Sequence, residues 1–157
     1  MRHHLAVIYR PFLRLIRDRK KTVECRLGQA GVPPHGAMES GDLIWFKEAN
    51  GPIRLVAVVR SVRFFCPLTP HEVDLIHKQY GQYILAPWSF WRAHRYANAA
   101  TLAWLGEISE LEPFQISKYD RRAWTVLGGP PVPIPKVEDV GSFVVDHDEV
   151  RRRIQEG

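Results

Sequence analysis

The sequence predicts one α+β domain in which mainly antiparallel strands are flanked by helices, and three observations carry that prediction. The 157-residue length is that of a single compact domain able to bury its own core. Several segments alternate apolar and polar residues at the strand period, and two others open on proline-marked helix starts. The composition, 45% hydrophobic and 25% charged, is globular and excludes a disordered or fibrous chain.

Taken in order, Leu5-Ala6-Val7-Ile8-Tyr9 reads as a buried strand. Pro11 then suits the first turn of a helix that carries Phe12, Leu13, Leu15 and Ile16 and ends near Lys20. Thr22 to Leu27 alternates strictly, with Val23, Cys25 and Leu27 on one face and Thr22, Glu24 and Arg26 on the other. The glycines and prolines of Gly28 to Gly36 make a loop. Gly41-Asp42 introduces a strand through Leu43-Ile44-Trp45-Phe46, and Asn50-Gly51 signals a hairpin into Ile53 to Val59, so this part is expected to form a β-meander. Thr69 is the expected N-cap of a helix with Pro70 at its first position and Glu72 closing a capping box, running to about Tyr80. A second helical segment starts at Pro87 within Ile84 to Tyr96, and 67–100 is read as a helical insertion. Thr101 to Leu111 returns to strand with Leu102, Trp104 and Ile108 as core candidates, and Arg122 to Leu127, with Trp124, is the last strand. Four prolines between Gly128 and Pro135 end the domain at 127, leaving 128–157 as a proline-rich junction and tail with a short helix over 148–155.

Cys25 and Cys66 are too few for a disulfide scaffold and are expected to be reduced thiols. The apolar run after the first residues stops too early for a signal peptide, and no segment has the length to span a bilayer, so a cytoplasmic location is expected. The formal net charge of +5 favours anionic partners. It is concentrated between Arg10 and Arg26, where Arg14, Arg17 and Arg19 read as the wet side of the first helix. The seven histidines are scattered without metal-site spacing, with His3-His4 expected at the surface of a frayed terminus; no metal or cofactor is expected.

The sharpest constellation is Arg19-Lys20-Lys21-Thr22-Val23-Glu24-Cys25-Arg26. A helix exit feeding a strand places Lys21 at the strand mouth, with Thr22, Glu24 and Arg26 on one side at about 6.6 Å intervals. Two readings stay open. The side is a ligand surface, on which Lys21 and Arg26 clamp a phosphate, Glu24 orients a base or sugar and Thr22 hydrogen-bonds, or it is a solvated face whose charges pair with neighbours. Trp45 and Trp88 are candidate stacking surfaces for bases, with core packing as the alternative.

The order of these pieces, an early strand, a short helix, Lys-Lys-Thr-Val-Glu-Cys-Arg, a loop and Gly-Asp-Leu-Ile-Trp-Phe, resembles the ASCH domains of the PUA-like superfamily. Their typical run is Gly-Lys-Lys-Thr-x-Glu-x-Arg followed by Gly-Asp; Arg19 stands here where glycine is usual. The match spans Leu5 to about Phe65 and resumes loosely from Thr101 to Leu127. The resemblance implies a small β-barrel with a cleft beside the Lys-Thr-x-Glu-x-Arg strand and a role in RNA metabolism. RNA or a modified nucleoside or nucleotide is thus the expected partner, with Lys20, Lys21, Thr22, Glu24, Arg26, Trp45 and Trp88 as candidate binding residues. One branch of the family is an amidohydrolase of acetylated cytidine that uses a lysine, a threonine two residues before the arginine and a distant glutamate. Lys21 matches the lysine, but Glu24 occupies the threonine position; Glu72 or Asp74 would be the distant acid. A hydrolase of the amidohydrolase or ribonuclease type, with Glu24 as general base and Lys21 stabilising an oxyanion, is therefore the alternative to a binding module.

Overall fold

The computed structural model describes residues 1–117 and 121–135, together with Arg152 and Gln155. The elements run β1 (His3–Ile8), α1 (Arg10–Arg17), β2 (Val23–Gly28), β3 (Leu43–Glu48), β4 (Ile53–Phe65), α2 (Pro70–Ile84), α3 (Trp88–Ala93), β5 (Ala99–Phe114) and β6 (Trp124–Leu127). The helix expected over 148–155 lies outside the described residues except at Arg152 and Gln155.

The six strands form one mixed sheet in the order β2-β5-β4-β3-β1-β6. Its only parallel pair is β1 with β3, so the expected mainly antiparallel α+β architecture is what the chain adopts. The expected meander is corrected in one respect: β3 and β4 form the Asn50-Gly51 hairpin, but β2 pairs with β5 and not with β3. The long, polar Gly28–Gly36 loop supplies no tight turn that would fold β2 back onto β3. Register shifts along β4 and β5 bend this central pair, and the sheet curls into a half-barrel whose end strands face each other across a gap.

Two cores result. On the concave side Ala6, Ile44, Phe46, Leu55, Ala57, Val59, Ala103 and Leu105 pack with Leu13 and Ile16 of α1 and with Trp124. On the convex side Val23, Cys25, Leu27, Ala100 and Leu102 pack under Val73 and Ile76 of α2 and Trp91 of α3. The β2 alternation read from the sequence is therefore real, but its apolar half lies beneath the helices and its polar half faces the barrel interior. Helix α2 begins at the expected capping box of Thr69 and Glu72. Cys25 is buried and Cys66 exposed, and both are free thiols.

His4 departs from expectation. It is fully buried in β1, where its Nε2 lies 2.9 Å from Asp42 Oδ2 and its Nδ1 accepts a 3.1 Å bond from Trp124 Nε1. A hydrogen-bonded partner on each ring nitrogen is what lets this polar side chain sit in a core, so the terminus is a strand and not frayed. The same Asp42 carboxylate accepts the backbone N–H groups of Arg2 and Glu39, while Gly41 before it takes φ +92°, a conformation that favours glycine.

Helix α1 stops at Arg17, earlier than expected, and Arg19 follows in the left-handed region at φ +59°. A side chain there is strained, which accounts for glycine in the related run. Arg19→Gly is expected to raise stability by about 0.5–1 kcal/mol, seen as a higher melting temperature.

Candidate functional site

The gap between the two ends of the sheet is a cavity of about 1250 Å³. It is walled by β2, the end of β1, β6, the ends of α2 and α3, and the loop after β2. Strand alternation aims Glu24 and Arg26 of β2 into it, and on the paired strand β5 places Thr101 opposite Arg26.

The basic run forms the floor. Lys21 and Glu24 are only 4% and 5% exposed, a burial that charged side chains tolerate when paired. The Lys21 ammonium donates to the carbonyl of Ile84, in the last turn of α2, where the helix dipole favours a cation. It also lies 3.6 Å from Glu24 Oε2, an ion-pair distance too long for a hydrogen bond. Arg26 Nε donates to Glu24 Oε1 at 2.9 Å, and its Nη2 donates to the Val7 carbonyl of β1 at 3.1 Å. The guanidinium carbon stands 5.1 Å from the ring centroid of Trp124 on β6, a cation–π contact. One arginine thus links β2, β1 and β6 across the opening.

Four buried side-chain polar atoms among the described residues have no hydrogen-bond partner, and three of them, Glu24 Oε2, Thr101 Oγ1 and Thr125 Oγ1, belong to residues that line this cavity. Such atoms are costly unless something satisfies them. The lining also carries five cationic side chains, Lys21, Arg26, Lys47, Arg121 and Arg122, against the single carboxylate of Glu24. Its other half is apolar, with Val32, Pro33, Pro87, Phe90 and Ala93.

Of the residues singled out in the sequence, Lys21, Glu24 and Arg26 come together here. Lys20 is exposed, and Thr22 lies just before β2, where its backbone N–H donates to Tyr83 and its carbonyl accepts from Leu105; neither lines the cavity. Trp45 stacks on His3 and donates to its Nδ1, also away from the cavity. Trp88 is 78% exposed beside the lining residues Pro87 and Ser89, with its ring edge-on to His77. Glu72 is spent in the capping box of α2, while Asp74 is exposed on the same helix; both are outside the lining. The residues that sequence reasoning missed are Thr101 and Thr125, and the ligand-facing role of Trp124, which was assigned to the core and is also the platform under Arg26. A hydroxyl inside each apolar strand was the signal available. Among the described residues there is no group of three or more metal-ligating side chains, and no helix is long and apolar enough to cross a membrane.

A mixed half-barrel with a charged cavity at its opening is the class of protein these observations define. Neither a family model nor a curated protein sequence matches the chain. Among solved structures it is similar to ASCH from Zymomonas mobilis, with TM-score 0.61 and 16% identity over 88% of this chain and 91% of that one. Two mutants of that protein match with TM-score 0.62 and 17% identity, over 80% and 81% of this chain and 87% and 91% of theirs. The particular half-barrel is thus that of ASCH domains: this chain has the ASCH fold.

Proposed function

We propose that the cavity binds one nucleotide unit of a single-stranded RNA. The observation that carries this reading is the convergence of three unsatisfied buried polar atoms on a cavity lined by five cations and one carboxylate. Such a lining suits a polar ring carried on an anionic backbone. The volume exceeds that of a typical small-molecule pocket, ~300–1000 Å³, and leaves room for more than a free nucleoside. Likeness to the ASCH fold supports the reading. Lys21, held by Ile84 and Glu24, acts in it as a fixed positive charge, and Trp88 is available at the rim for an adjacent base to stack on.

The test is a fluorescence anisotropy titration of short single-stranded RNA, the matching duplex and free nucleosides at two salt concentrations, with product analysis of each mixture. Single strands are expected to bind best, with affinity falling about in proportion to the power of salt set by the phosphates contacted, roughly 0.7 per contact. Salt-independent binding of nucleosides alone would overturn the polymer reading in favour of a small-molecule pocket. RNA or nucleoside turnover lost in Lys21→Ala would replace it with the hydrolase.

A further inference from the structure

We propose that the cavity selects a base whose pairing edge presents one amino donor beside one ring acceptor, cytosine or adenine, over uracil and guanine. This inference rests on the RNA-binding reading and adds to it which base is taken. Glu24 provides the first constraint. Its Oε1 is committed to Arg26, and its Oε2, on a side chain only 5% exposed, faces the cavity with no hydrogen bond. An ionised carboxylate oxygen can only accept, so the group seated against it must donate. Uracil would set the lone pairs of its exocyclic oxygen against that charge. Guanine offers two adjacent donors and is best met by both oxygens of a carboxylate, of which one is taken.

Thr101 provides the second constraint. It pairs with Arg26 in the β2–β5 ladder, whereas Glu24 pairs with Ala103, so Glu24 and Thr101 occupy diagonal positions of one face, about 7–8 Å apart at the backbone. The Thr101 hydroxyl is 2% exposed at the residue level and has no partner, and it is able to donate to a ring nitrogen. An acceptor from Glu24 and a donor from Thr101 together complement an amino group next to a ring nitrogen. That pattern is shared by cytosine and adenine and by neither of the other two bases.

The experiment titrates the protein with short U-tract RNAs bearing one central C, A, G or U, and competes each complex with cytidine or N4,N4-dimethylcytidine, which lacks the amino donor. C and A at the centre are expected to bind at least tenfold tighter than G or U. Cytidine should compete, and the dimethyl compound should not. Glu24→Gln, whose amide can turn either its oxygen or its nitrogen to the ligand, should shrink the preference to within about threefold. Equal binding of the four RNAs, or competition by the dimethyl compound, overturns the selectivity while leaving RNA binding intact. Failure to bind any of them overturns the RNA reading itself. The competition uses the unaltered protein, so it decides the matter even where the substitution impairs folding.

Discussion

Asp42→Ala is expected to destabilise the fold by about 3–5 kcal/mol, the cost of removing one member of a buried charged network. For a domain of this length that is a drop in melting temperature on the order of 10 °C. The carboxylate is 1% exposed and serves three donors from the first strand and its neighbouring turn: His4, the Arg2 N–H and the Glu39 N–H. Without it, His4 and the two backbone groups are buried or half-buried with nothing to receive them, and β1 loses its anchor beside β3. Asp42→Asn, which keeps one acceptor oxygen, should cost less than half as much. The pH dependence has a definite sign. Burial by itself would push the Asp42 carboxyl up, but His4 and the two backbone donors together outweigh it and hold the group below the ordinary carboxylate value. A group depressed on folding contributes stability that is complete above its unfolded pKa, about 3.9, and is lost as pH falls through its lower folded value. The stability difference between the wild type and Asp42→Ala should therefore be steady above about pH 5 and shrink below about pH 4. Thermal melts across that range check it.

Arg26→Ala is expected to weaken RNA binding by about 30- to 100-fold, or roughly 2–3 kcal/mol. The substitution removes a cation from the cavity and also releases Glu24 Oε1 and uncovers Trp124. Arg26→Lys should recover less than a third of the loss in free energy. A lysine ammonium is a point charge and cannot bond Glu24, reach Val7 and lie flat over an indole at once. Anisotropy titrations of the three proteins, each confirmed folded by its melting profile, decide it. Wild-type affinity in Arg26→Ala would place the binding surface elsewhere on the molecule.

How far the site was legible is clearest at β2. The alternation of Val23, Cys25 and Leu27 with Glu24 and Arg26 is written in the sequence, and so is their separation onto two faces. What alternation does not encode is which face looks inward. In a curled sheet both faces are covered, one by helices and the other by the opposite side of the curl, so a charged residue such as Glu24 can be as buried as Cys25. Thr22 fell outside the site because the strand begins one residue later and its backbone is held by Tyr83. The long strands were only half visible. In β4 the expected strand ends at Val59, yet pairing continues to Phe65 through Arg60, Ser61 and Arg63, whose exposure erases the hydrophobic signal. His4 was misread for a related reason: its partners lie 38 and 120 residues away, beyond any local pattern.

The link that Arg26 makes between β2 and β1 differs in kind from the rest of the sheet. Every other neighbouring pair of strands is joined by a ladder, which fixes its spacing to within a fraction of an ångström. Here the span is set by one flexible side chain, with a single bond to the Val7 carbonyl and a stacking contact on Trp124. The opening can therefore widen or narrow without breaking a backbone hydrogen bond. The aperture through which a ligand enters is in this way mechanically independent of the stability of the domain, so the protein can breathe at its mouth while its body stays rigid.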